Sequence, residues 1–201
     1  MEKKVKVGIL RETKIPPDRR VPLTPAQIVE LREKYPFVEF FVQPSDIRCY
    51  TDEEYEYLMI PIREDLSDCD ILMGVKEVDK RLFIEGKTYL FFAHVAKKQS
   101  YNREMLREIL RHKVRIIDYE YLTNSDKIRV VAFGRWAGFV GAYNALRAYG
   151  LRKGKFNLKP AWQCRDKSEL LGHLSSVAAE DQKIVITGGG RVANGAMEIL
   201  T

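Results

Sequence analysis

The sequence predicts an α/β fold: a mainly parallel open sheet with helices on both faces, followed by the start of a second domain of the same class. Three observations predict it. Apolar strand-like runs alternate with helix-period segments in the order β-α-β-α-β-β-α-β. One run, "DILMGVK", is continuously apolar, as a parallel strand covered on both faces should be. Near the end, "KIVIT" runs into a glycine turn and then a helix.

Each element has a local reason. "KVKVGIL" (Lys4 to Leu10) alternates charged and apolar residues and reads as a strand. The polar loop "RETKIPPDRRV" follows, with two adjacent prolines that suit neither a helix nor a strand interior. "TPAQIVELREKY" opens with Thr24 as N-cap, Pro25 at the first helical position and Gln27 at the capping-box position. "VEFFVQ" is the next strand. In "TDEEYEYLM" Thr51 caps a short helix with acids in its first turn. "DILMGVK" and "KTYLFFAHV" are strands, "NREMLREILRHK" a helix and "VRIIDYEYL" a strand. Then "FGRWAGFVGAYNALRAYGLRKG" is a long helix in which Gly138 and Gly141 would permit close packing, and "KSELLGHLSSVAAE" is another helix. The implied organisation is residues 1–135 as one domain, 136–180 as connecting helices, and 181–201 as the first strand, turn and helix of a second domain. A βαβ unit needs ~30 residues, so the sequence implies that most of that second domain lies outside it.

Composition excludes several classes. Hydrophobic residues make up 45% and charged residues 31%, which suits a folded globular chain rather than a disordered one. No apolar run approaches the ~20 residues of a membrane-spanning helix. "MEKKVKVGIL" lacks the apolar stretch of a signal peptide, so a cytoplasmic address is expected. The three cysteines, Cys49, Cys69 and Cys164, are widely spaced, form no CxxC pair, and give no support to a metal site. A net charge of +6 is compatible with nucleic acid, but the basic residues are interleaved with acids and no nucleic-acid motif is present. A small anionic substrate and an anionic cofactor explain the same bias. No nucleic-acid or membrane partner is expected, and oligomeric state is left open.

Two constellations carry chemistry. Gly188, Gly190 and Ala193 form G-x-G-x-x-A between a strand pattern and a helix, the context of a dinucleotide-binding turn. The first glycine permits the tight turn, the second lets a pyrophosphate approach the backbone, and the helix N-terminus faces the phosphates. The second constellation lies in the first half. Lys76 and Glu77 end one strand, His94 ends the next, and Arg20 closes the first loop. Ligands of open parallel sheets gather outside the carboxyl ends of the strands. A partly desolvated lysine can serve as a base, a histidine is suited to proton transfer near neutral pH, and an arginine forks a carboxylate.

"LRETKIPPDRRVPLTPAQ", "ILMGVKEV", "TYLFFAHVAKKQ", "RVVAFGRWAGFVGAYNAL" and "ITGGGRVANGA" occur in order over nearly the whole chain. Together they resemble the alanine dehydrogenase, transhydrogenase and saccharopine dehydrogenase superfamily, most closely the NAD-dependent, L-lysine-forming saccharopine dehydrogenase branch. The resemblance implies a Rossmann-like substrate domain and an NAD-binding Rossmann domain. It implies oxidation of the secondary amine of saccharopine to lysine and 2-oxoglutarate. Lys76 would take the amine proton and His94 would act as general acid-base on water and the imine. Glu77 would tune the lysine's charge. Arg20, Arg129 and, more weakly, Lys97 would hold substrate carboxylates. Gly188, Gly190, Arg191 and Ala193 would lie under the NAD pyrophosphate. An alanine dehydrogenase or other imino-acid or opine oxidoreductase is the runner-up, and a non-catalytic substrate-binding piece is the reading from another class. Arg135 and Trp136 stand in "GRWAG" where a smaller or uncharged pair would be unsurprising.

Overall fold

The computed structural model describes residues 4–177 and 182–201. The chain divides into two compact units, residues 1–131 and 132–201.

The first unit is a five-stranded, wholly parallel sheet. Its strands are β1 (Val5–Ile9), β2 (Val38–Val42), β3 (Ile71–Met73), β4 (Thr88–Phe91) and β5 (Arg115–Asp118), in spatial order β2-β1-β3-β4-β5. Alternation puts Val7 and Ile9 of β1 on one face, where they pack with Phe40 and Val42 of β2. Ile28 of helix α1 (Pro25–Lys34) and Tyr55 of helix α2 (Asp52–Tyr57) cover them. Leu72 of β3 with Tyr89 and Phe91 of β4 belongs to a second cluster, closed by Met105 and Ile109 of helix α3 (Arg103–Arg111). Helices therefore cover both faces, as continuous apolar strands require.

The capping box expected at Thr24 forms, and the N-cap expected at Thr51 proves to be a capping box as well. Thr24 Oγ1 accepts the Gln27 N–H at 3.2 Å, and Gln27 Oε1 accepts the Thr24 N–H at 3.0 Å. Thr51 and Glu54 repeat the arrangement at α2.

Three strands are shorter than their apolar runs. The ladder of β3 stops at Met73, although the run continues to Lys76, because the N–H groups of Val75 and Lys76 turn to a side chain, Glu12. β4 ends at Phe91, and three residues later His94 takes a left-handed φ of 53°. β5 ends at Asp118, whose carboxylate accepts the Glu120 N–H at 3.0 Å and starts a 3-10 turn over Tyr119–Tyr121.

The second unit contains α4 (Gly134–Lys153), α5 (Lys167–Gly172) and α6 (Arg191–Leu200) around Phe139, Tyr143, Leu146, Leu158, Leu170 and Ile199. The helix expected from Lys167 breaks into a 3-10 turn at His173–Ser176, and its last residues, 178–180, lie outside the described residues. α4 and α6 touch backbone to backbone. A β-carbon on Gly138 would fall 1.8 Å from the Val192 carbonyl oxygen, and one on Gly195 would fall 1.8 Å from that of Arg135. Gly141, expected to share this role, has nothing within 4 Å of such a carbon. The expected strand at residues 183–187 is not in a sheet. A strand exists only through a neighbouring ladder, and none of the described residues of the second unit pairs with it. Arg135 instead joins α4 to α6, making two bonds to Glu198 at 2.5 and 2.7 Å, and its guanidinium lies 5.2 Å from the Trp136 ring.

Candidate active site

β1 has β2 on one side and β3 on the other, so the strand order reverses there. That is the switch point at which α/β sheets open a crevice at the strands' carboxyl ends. The loop after β1 carries Glu12, Lys14, Asp18 and Arg20. The chain after β3 carries Lys76 and Glu77, that after β4 carries His94 and Lys97, and that after β5 carries Tyr119 and Glu120.

Lys76 and His94 follow neighbouring strands, and Glu77 joins their surroundings. One Glu77 oxygen lies 2.9 Å from His94 Nδ1, and the other accepts from the Lys14 ammonium. Burial works to raise the Glu77 carboxyl, but the hydrogen bonds from Lys14 and His94 bring it below its ordinary value. It is therefore an ionised acceptor, so Nδ1–H donates and Nε2 is left to exchange a proton. Phe92 stacks on the imidazole at 6.1 Å and meets Tyr119 edge-on at 5.3 Å.

A depressed carboxyl contributes stability that is complete above its ordinary value and drains as pH falls through the lowered one. A carbon NMR titration of Glu77 should give a midpoint below the ~4.3 of an unperturbed glutamate. Lys14→Ala should move that midpoint upward; no movement would mean that the ion pair does not set it.

No hydrogen bond or ion pair reaches the Lys76 ammonium among the described residues. Its side chain lines a cavity of about 110 Å³ with Glu12, Thr13, Gln43, Glu77 and Leu82. Arg20 is gripped by Asp18, its Nε 2.9 Å from Oδ1 and its Nη2 2.5 Å from Oδ2, which holds the Asp18 carboxyl below its usual range. Lys97 and Arg129 converge on Glu120 Oε1 at 2.6 and 3.0 Å. The hydrogen bond from Lys97 lowers the Glu120 carboxyl, and the charges of Lys97 and Arg129 add to the effect.

Sequence reading singled out Lys76, Glu77, His94, Arg20, Lys97 and Arg129, and all lie beyond the carboxyl ends of the strands in the first unit. Glu77, expected to serve the lysine, instead accepts hydrogen bonds from His94 and Lys14. The reading passed over Glu12, Lys14, Asp18, Tyr119 and Glu120. The available signal was position: acids in a basic loop directly after β1, and a Tyr-Glu pair directly after β5.

The glycine turn lies in the second unit. Gly188 has a φ of 86°, which a side chain would strain, and Gly190 has open space where a β-carbon would sit. Gly190 is the N-cap of α6 and offers no side-chain cap, while Ala193 is buried on the helix's inner side. A glycine turn of this shape at an uncapped helix N-terminus fits the phosphates of a dinucleotide. The same unit brings donor atoms of Cys164, Glu169 and His173 within 4.8 Å of one another. However, Glu169 already binds the Lys159 ammonium and the Arg165 N–H, so its carboxylate is committed.

Comparison with known proteins gives a consistent picture. Bovine mitochondrial alpha-aminoadipic semialdehyde synthase is 33% identical over 200 residues, covering 90% of this chain and 21% of that protein. The Arabidopsis thaliana alpha-aminoadipic semialdehyde synthase is 36% identical over 151 residues, covering 73% of this chain and 14% of that one. The Yarrowia lipolytica saccharopine dehydrogenase [NAD(+), L-lysine-forming] is 26% identical, covering 97% of this chain and 56% of that protein. This chain thus spans from about a seventh to about half of these relatives. A solved L-alanine dehydrogenase shares the fold, with a TM-score of 0.63 at 19% identity over 96% of this chain and 51% of that one. Residues 8–140 match the family described as alanine dehydrogenase/PNT, N-terminal domain, and the chain belongs to that family.

Proposed function

We propose that this chain carries the substrate side of an NAD-dependent amino-acid dehydrogenase that oxidises the secondary amine of saccharopine to L-lysine and 2-oxoglutarate. The observation that supports it best is the placement of Lys76 and His94 just beyond the adjacent strands β3 and β4, on the side of the sheet's switch point where β3 lies against β1. Bound NAD would accept the hydride, and Gly188, Gly190, Arg191 and Ala193 would hold its pyrophosphate.

The chain's own residues divide the remaining work. The half-buried Lys76 amine takes the proton from the substrate nitrogen. His94, oriented through Nδ1 by Glu77, moves protons at Nε2 to and from the attacking water and the departing amine. Lys14 balances the Glu77 charge. Arg20, Lys97 and Arg129 supply three cations for a substrate with three carboxylates. Each is already paired with an acid, Asp18 or Glu120, so the substrate joins a preformed charge network instead of meeting bare cations. Such networks hold long side chains in place before binding, which lowers the cost of ordering them.

Calorimetric titration of the chain with saccharopine, 2-oxoglutarate and alanine, alongside NADH formation with saccharopine and with alanine, tests this. Saccharopine and 2-oxoglutarate should bind, and saccharopine should support the larger rate. Binding and turnover with alanine alone would overturn the proposal in favour of an alanine dehydrogenase.

A further inference from the structure

We infer that Glu12 is a positioning residue whose carboxylate fixes the direction in which Lys76 leaves the sheet. The role rests on the reading of Lys76 as the base.

The argument starts where β3 stops. The Gly74 N–H still bonds across to Leu90 O at 2.9 Å. The next two N–H groups leave the sheet. Val75 donates to Glu12 Oε1 at 2.6 Å, and Lys76 donates to Glu12 Oε2 at 2.9 Å. Only an ionised carboxylate offers two equivalent acceptors to two successive backbone donors, and bonds to a charged acceptor are the strong kind. Glu12 stands three residues beyond the end of β1, so this clamp ties the exits of β1 and β3 together where the strand order reverses.

Sterics make room for it. A β-carbon at position 74 would lie 3.3 Å from Glu12 Oε1, tighter than ordinary contact, so the glycine lets the carboxylate seat against the chain. The seat is buried enough that desolvation raises the Glu12 carboxyl, with the two backbone bonds pulling the other way. A half-buried charge kept against that tendency is held for what it binds.

Lys76 needs such a clamp. Glu77, its sequence neighbour, is committed to Lys14 and His94, and no described group bonds the Lys76 ammonium. Its aim is therefore set by its own backbone. A base must lie within hydrogen-bond reach of the proton it takes, and a displacement of ~1 Å can cost ~10²-fold in rate.

The test is Glu12→Gln on the full chain, with Gly74→Ala as a second variant that disturbs the clamp while leaving the carboxylate in place. Glutamine keeps the size but offers one acceptor oxygen, so one of the two amides loses its partner. In the unliganded protein, hydrogen exchange at the Val75 or Lys76 amide should accelerate at least about tenfold, the scale of one lost hydrogen bond. The acylation rate of the Lys76 amine, read by peptide mass, should change with it. In turnover, kcat should fall about 10–100-fold, with KM within about threefold and both limbs of the pH profile retained. The exchange and acylation readouts need no substrate, so they stand even if saccharopine is not turned over. Unchanged exchange in both variants would overturn the inference. So would loss of one limb of the pH profile in Glu12→Gln, which would make Glu12 itself the base. A fall in melting temperature with kcat and Lys76 acylation unchanged would reduce Glu12 to a structural plug and overturn it as well. If Glu12→Gln does not fold, the same readouts on Gly74→Ala decide.

Discussion

Lys76→Met should lower the rate of amine oxidation by about 10²–10⁴-fold, the range of a lost general base, while leaving the fold unchanged. Methionine approximates the length and volume of the lysine stem, so the wall of the small cavity beside Glu12, Gln43 and Leu82 stays filled. The ammonium makes no hydrogen bond or ion pair among the described residues, so its removal leaves no buried partner unsatisfied. The loss should therefore fall on chemistry. KM should change little, because carboxylate recognition is assigned by the proposal to Arg20, Lys97 and Arg129. The limb of the pH–rate profile that reports the base should disappear, while the limb assigned to His94 persists. Lys14→Met is the contrasting variant: it removes a nearby ammonium that pairs with Glu77, and should shift the profile without abolishing a limb. A loss under about threefold in Lys76→Met would return the lysine to the role of a surface charge at the end of a strand.

What could be read from the sequence was what is determined locally. The caps at Thr24 and Thr51 lie three residues from their partners, so the pattern that names them also forms them. The parallel sheet follows from apolar runs whose partners are other apolar runs. The strand ends were misjudged for the opposite reason. β3 stops because of Glu12, 63 residues earlier in the chain, and no property of "ILMGVKEV" encodes that distance. The site divides in the same way. Lys76, Glu77 and His94 could be named because strand ends are where ligands gather. Their pairing could not, since Glu77 meets His94 across 17 residues and Lys14 across 63. Residues 183–187 are the clearest case. Their pattern is that of a strand, but a pattern supplies only one side of a ladder.

Gly138→Ala and Gly195→Ala should each destabilise the second unit by about 3 kcal/mol, at the severe end of overpacking, whereas Gly141→Ala should stabilise it by up to about 1 kcal/mol through helix propensity. The three substitutions are chemically identical and two of them lie one turn apart on α4. Their outcomes differ because of what the added methyl meets. At Gly138 and Gly195 it meets carbonyl oxygens at 1.8 Å, and backbone cannot swing aside as a side chain can. Relief requires α4 and α6 to separate, which would loosen the packing of Phe139, Leu146 and Ile199. At Gly141 the methyl meets nothing within 4 Å, and the helix gains a better former. Both tryptophans, Trp136 and Trp162, lie in the second unit, so tryptophan fluorescence during chemical unfolding reports on that unit alone. The midpoint should move down for Gly138→Ala and Gly195→Ala and up for Gly141→Ala. Equal shifts at all three positions would show that helix propensity, not the contact between the two helices, governs the unit's stability. A combined Gly138→Ala, Gly195→Ala variant should lose less than the sum of the single changes, because a separation forced by the first methyl already makes room for the second.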